Sequence, residues 1–293
     1  MWSELSGAAL TGLLGSSLAL TAPYLYASLA QTLEQRSGVL DFSTEGTVLL
    51  AAVSAYALLL SGGAAWGVVL ALGAGVLMSL VAALLSVTLA LTRGAATFGL
   101  YLVGLGMSRL LLTSPRFQVV VDAPLERSTG DLSSALIYGA YVLVPTVWFV
   151  LERTAFGLKL RAAGAEPAVA EASGVNVVRT RYLSLVIGGA LAGLAGATLA
   201  LSLSALTEPN PAGGLGFIAF ALARVCAGRP LRVLVGALSF GVLSALQLWL
   251  REAWTGSVPA AGLISLAPYL LVLLLLGYAG RSGAGATRPE KAP

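Results

Sequence analysis

The chain contains no histidine and a single cysteine, Cys226. Those absences exclude a disulfide framework, a Cys/His metal centre and any Ser–His or Cys–His nucleophile. Lysine is nearly as scarce, with only Lys159 and Lys291 beside the arginines. Neither lies in a G-x-x-x-x-G-K-[ST] loop, so the chain has no phosphate cradle of that kind. Charge of both signs is thin: 10% of the 293 residues are charged, against about 25% in a soluble domain. In their place stand 57% hydrophobic residues and a mean hydropathy of +0.89. Such a surface needs lipid as its solvent.

Apolar runs fall at roughly 7–30, 40–60, 66–91, 95–113, 133–151, 182–204, 214–227, 232–250 and 262–280. A helix of about 20 apolar residues crosses a bilayer, so the pattern predicts an all-α, polytopic membrane helix bundle of about nine spans. Residues 1–280 are read as one transmembrane domain, and the small, polar tail 281–293 as a disordered cytoplasmic extension. The start lacks a basic region and carries Glu4, so it reads as a first span rather than a removed leader.

The cations set the orientation. With the joint at 152–181 inside, Arg36, Arg93, Arg153, Lys159, Arg161, Arg179, Arg181, Arg224, Arg229, Arg232, Arg281, Arg288 and Lys291 are cytoplasmic, and Arg109, Arg116, Arg127 and Arg251 are not. The N-terminus is then expected outside and the C-terminus inside. This placement at span ends also accounts for the net charge of +4 without nucleic acid. Short polar joints such as Glu34-Gln35-Arg36 separate the spans. The opening stretch and the Gly-rich segment 213–230 are poor spans, and interrupted segments of that kind in two halves mark a transport path. "GVLMSL" at 75–80 and "GVLSAL" at 241–246 echo each other on spans of opposite direction, as an inverted repeat requires.

The joint 152–181 carries eight charges in thirty residues and encloses a punctuated helix. Pro167 suits a first helical position. Glu166 and Glu171 bracket a run of Ala and Val that includes Ala170, Ala172 follows, Gly174 supplies a left-handed stop, and Asn176 can cap the next helix. The segment is either a solvated loop with a turn of helix or a short helix tethered for docking a soluble partner. In the span that follows, Gly189, Gly193 and Gly196 belong to a run of small residues that lets helices approach closely in lipid. Asp41 and Glu45 head an apolar run four residues apart. On their position alone they finish a helix at its positive end.

Three blocks carry a resemblance. "FGLKLRAAGAEPAVAEASGVNVVRTRYLSLVIGGALAGLAGA", "RSGVLDFSTEG" and "GGLGFIAFALARVCAGRPL" resemble, in order, motifs of permeases in the branched-chain amino acid/ribose/nucleoside group of ABC importers. The chain looks most like the smaller paralogue of nucleoside-type permeases that work with a basic-membrane-protein-like lipoprotein, with Asp41 where their pattern usually has Asn. The resemblance implies a bacterial cytoplasmic-membrane protein paired with a second, often non-identical permease chain. It also implies a cytoplasmic ATPase docked on the 167–174 helix and an external solute-binding lipoprotein. ATP and Mg would then belong to the ATPase, with no cofactor in this chain. Asp41, Ser43, Glu45 and Phe217 are the implied path residues. The expected cargo is a nucleoside, with a ribose-like sugar, a flavin-type heterocycle or a branched-chain amino acid as alternatives. A different class, an ion-coupled secondary transporter relaying protons through Asp41 and Glu45, stays open. An intramembrane enzyme finds little support, because Asp122 and Asp131 fall in an external loop, away from Asp41.

Overall fold

The computed structural model describes residues 7–59, 63–92, 94–114, 130–201 and 213–253, with positions 270, 271, 274 and 277. Ten α-helices account for most of these. They are α1 (Gly7–Arg36), α2 (Thr44–Leu59), α3 (Ala64–Ala83), α4 (Ala95–Leu112), α5 (Gly130–Arg153), α6 (Ala155–Ala165), α7 (Pro167–Ala172), α8 (Val177–Leu201), α9 (Leu215–Val225) and α10 (Pro230–Ala253). A π-helical turn, Leu84–Thr88, extends α3. No strand occurs among the described residues. The all-helical class therefore follows the hydrophobic pattern: in lipid, a helix satisfies its own backbone.

Among the described residues, six helices are long and apolar enough to cross a membrane: Thr11–Arg36, Ala65–Thr88, Ala95–Leu112, Gly130–Arg153, Val177–Leu201 and Pro230–Leu250. The apolar stretch 214–227 departs from the nine-span expectation. It forms an eleven-residue helix, about 16 Å long and too short for a hydrocarbon core of about 30 Å. The tail 281–293 and most of the stretch 262–280 lie outside the described residues. The Glu34-Gln35-Arg36 joint is also corrected, because α1 runs unbroken to Arg36 and buries Glu34 at 1% exposure. Polar side chains there have partners on neighbouring elements, so helix persists where the sequence suggested a turn.

Packing is reciprocal. α3 lies along α8 as α10 lies along α1, α2 packs on α8 as α9 packs on α1, and α1 and α8 pack on each other. The echoed segments begin at equivalent contacts. Gly75 in α3 meets the backbone of Gly189 and Gly193, while Gly241 in α10 meets Ser17 and Thr21 of α1. Contacts also fix direction. Arg181 and Ser184 of α8 bond Ser37, just after α1, and Leu33 of α1 in turn, and Gly228 and Ser244 meet Arg36 and Tyr24, so α8 and α10 both run antiparallel to α1. Gly193 faces Ala71 and Gly189 faces Ser79, so α3 is antiparallel to α8. α3 and α10 therefore run oppositely, as an inverted repeat demands.

The core runs along α1, where Leu25, Tyr26, Leu29 and Leu33 are at most 1% exposed. Tyr26 donates to Leu136 O at 2.7 Å and Tyr141 to Leu18 O at 2.9 Å, pinning α5 beside α1. Small residues make the approaches possible. An added Cβ at Gly189 would lie 2.5 Å from Gly75 O, one at Gly193 2.6 Å from Ala71 O, and one at Gly196 2.6 Å from Ala51 Cβ. α8 thus receives α3 on one stretch and α2 on the next.

Candidate functional site

Between α1 and α2, residues 37–43 leave the helical path for seven residues. Gly38, at φ +81°, turns the chain where a Cβ would lie 3.1 Å from Gly164 Cα. Only glycine combines that backbone angle with that contact. Asp41 Oδ1 then accepts from Ser43 N at 2.8 Å, a local turn that brings the chain into α2. Gln31 Nε2 lies 2.9 Å from Glu34 Oε2, 2.8 Å from Asp41 O and 2.5 Å from Thr44 Oγ1. Gln35 joins Gln31 Oε1 at 3.1 Å and Phe220 O at 3.0 Å. One turn of α1 therefore holds the break in place.

Glu45 has a long-range role. Its carboxylate accepts from Gly214 N at 3.0 Å and Gly216 N at 2.5 Å, at the N-terminus of α9. The first N–H groups of a helix lack internal partners and carry its positive dipole end. Glu45 supplies an anion from another helix, and the N-termini of α2 and α9 converge on it. At 2% exposure the Glu45 side chain is enclosed in this conformation, as is Asp41 at 1%. Ser43 Oγ is buried without a hydrogen-bond partner among the described residues. Phe217, next on α9, is 37% exposed and packs edge-on against Tyr101 at 5.2 Å. The four proposed path residues therefore share one junction, with Phe217 on its open side.

The joint 152–181 contains two helices where one was expected. Thr154 begins α6, its Oγ1 accepting from Gly157 N at 3.3 Å. Leu160 and Ala163 bury the inner face of α6. An apolar spacing of Phe156, Leu160 and Ala163 behind a threonine was the available signal. Pro167 then starts α7, which ends at Ala172, and Gly174 turns out of it at φ +82°. Ala170 is buried with Ala163 and Val177, while Glu166, Val169, Glu171, Ala172 and Asn176 are exposed. Asn176 Oδ1 accepts from Arg179 N at 2.8 Å and caps α8.

This joint is tied to the break. Glu152 meets Arg36 at 3.3 Å and Arg161 at 2.9 Å. Arg36 Nε donates to Gly228 O at 3.1 Å, and Arg181 donates to Ser37 O at 3.3 Å and Ala163 O at 3.4 Å. Joints that the charge bias put on one side of the membrane thus lie at one end of the bundle. The sequence reading missed Gln31, Glu34 and Glu152, although Gln31, Glu34 and Gln35 share one helix face by spacing.

A helix bundle of spanning length, with the N-termini of α2 and α9 meeting at Glu45 and an exposed short helix at one end, fits a multi-pass membrane protein. Residues 13–275 match the family described as branched-chain amino acid transport system / permease component, and the chain belongs to it. It is 33% identical to the putative glucose ABC transporter permease protein TsgC13 of Haloferax volcanii, over 92% of this chain and 91% of that one. It is 25% identical to the guanosine ABC transporter permease protein NupQ of Bacillus subtilis, over 92% of each chain. The nucleoside ABC transporter permease protein NupC of Lactococcus lactis is 29% identical over 47% of this chain and 43% of its own. No solved structure matches the chain.

Proposed function

We propose that this permease subunit of an ABC importer carries a nucleoside across a bacterial cytoplasmic membrane. In this reading a second permease chain, a cytoplasmic ATPase and an external binding protein complete the machine. The observation that carries it is the alignment with a guanosine permease over 92% of both chains, supported by two further nucleoside permeases among the relatives. The Haloferax relative, at 33% identity over 92% of this chain, favours a sugar as the second reading.

The mechanism follows from the ties at one end of the bundle. Closure of the ATPase pair pushes on the exposed face of α7, around Glu166, Val169 and Glu171. α6 shares a buried contact with α7 and carries the displacement through Gly164 to Gly38 and through Arg161 to Glu152 and Arg36. That shifts the 37–43 segment and the junction where Glu45 holds α9. Opening the junction exposes backbone groups and polar side chains near the midplane, where repeat-built transporters bind solute. Hydrolysis stays on the ATPase, so ATP and Mg need no site here.

The deciding experiment titrates the importer's external binding protein with guanosine, adenosine, cytidine, glucose, ribose and leucine, and reads its melting temperature. Stabilisation by nucleosides is expected. A response to glucose alone moves the assignment to the sugar reading, and a response to leucine alone defeats both.

A further inference from the structure

We propose that a cavity between the end of α1 and the turn joining α9 to α10 holds the phosphate of an anionic phospholipid, bound by Arg36 and Arg224. The site is independent of the solute that the permease carries.

The cavity has a volume of about 320 Å³ and is lined by Gln35, Arg36, Ala223, Arg224, Ala227 and Gly228. It forms because the turn is drawn onto α1. Ala227 and Gly228 are both left-handed, at φ +51° and +63°, and Gly228 O accepts from Arg36 Nε at 3.1 Å. A Cβ on Gly228 would lie 2.8 Å from that Nε, so a side chain there would displace the guanidinium. Arg36, 16% exposed, lies inward and spends Nη2 on Glu152. Among the described residues its Nη1 has no partner. Arg224 is exposed at the mouth, and among the described residues its guanidinium makes no hydrogen bond or ion pair. No carboxylate lines the cavity. Two guanidinium forks with donors to spare and no acid between them suit phosphate oxygens.

Depth selects a lipid over a soluble anion. Arg36 ends the spanning helix Thr11–Arg36, and Pro230 begins the spanning helix Pro230–Leu250. The cavity between those ends lies where hydrocarbon gives way to headgroups, on the side to which the cation bias assigns the cytoplasm. From there α10 carries an apolar face along its length. Leu231, Val235, Val242, Leu246 and Trp249 are 38–65% exposed. At 3.6 residues per turn they fall within a sector of about 60°. Arg229 and Arg232, both exposed, flank its start. A phosphate in the cavity with acyl chains along α10 uses both features at once, as in other basic pockets between spanning helices. Free phosphate would gain nothing from the apolar face. An acidic side chain of the ATPase would reach the arginines from water and leave that face bare.

The test purifies the assembled importer, strips its lipid, titrates it with phosphatidylglycerol and counts retained lipid by native mass spectrometry. Phosphatidylcholine, with the same phosphodiester and no net charge, should bind several-fold more weakly. Arg224→Gln should weaken phosphatidylglycerol roughly fivefold, the scale of one arginine at an anionic lipid surface. Arg224→Lys keeps the charge and should lose less. Arg179→Gln removes an exposed cation elsewhere at the same end and should leave binding unchanged. The Arg224 side chain holds no described part of the chain, so melting of Arg224→Gln should match wild type. Equal losses in Arg224→Gln and Arg179→Gln would mean general charge attraction and overturn the site, as would equal binding of the two lipids by wild type. Displacement of phosphatidylglycerol by millimolar inorganic phosphate would overturn the lipid in favour of a soluble anion. Loss of the ATPase or the second permease from Arg224→Gln, with lipid retained, would make the cavity a subunit contact and overturn it too.

Discussion

Replacing Glu45 with alanine removes both acceptors from the N-terminus of α9. Gly214 N and Gly216 N, held at 3.0 and 2.5 Å, are then left without their acceptors. The buried Gly216 N–H left orphaned costs about 1–3 kcal/mol, and the half-buried Gly214 N–H adds less. At roughly 2–4 °C per kcal/mol for a chain of this size, melting of the purified permease in detergent should fall by at least about 2 °C. Glu45→Gln keeps one acceptor oxygen and should lose about half as much. Glu45→Asp, one methylene shorter, should resemble alanine. The assay is thermal unfolding read by intrinsic tryptophan fluorescence in parallel with solute-stimulated ATPase activity of the assembled complex. Glu45→Ala melting within about 1 °C of wild type would refute the cap, because no backbone rearrangement that small replaces two charge-assisted bonds.

Other perturbations separate packing from coupling. Gly193→Val drives side-chain atoms into Ala71 O and Leu72 of α3, so it should abolish folded, monodisperse protein on size-exclusion chromatography. Glu152→Gln weakens half-exposed pairs worth about 1 kcal/mol or less to stability, so melting should hardly move while transport per ATP hydrolysed falls several-fold. Val169→Arg places a charge on the exposed face of α7, which should cut co-purification of the ATPase without changing permease melting.

Much of the bundle was legible because lipid imposes a simple rule. Apolar runs become helices, and cations collect at one end, where Arg36, Arg161, Arg181 and the 228 turn meet. Pro167 and Gly174 predicted the short helix and Asn176 the start of α8, because each acts locally, through a missing N–H, a positive φ and a side-chain cap. The junction was only half legible. Asp41 and Glu45 were visible as acids in an apolar context. That Glu45 serves α9, about 170 residues away in sequence, depends on how the two halves fold against each other. The same holds for Gln31 and Glu34, which look like a polar joint until tertiary partners bury them.

In the proposed function, this chain is one half of a path opened by ATP. The most direct measurement is guanosine uptake into proteoliposomes holding the permease pair and its ATPase, with binding protein outside and ATP inside. Uptake should require ATP and the ATPase, and should persist when ionophores collapse the proton and sodium gradients. Uptake that continues without the ATPase and stops with the ionophores would contradict it, and would make Asp41 and Glu45 part of an ion-coupled carrier.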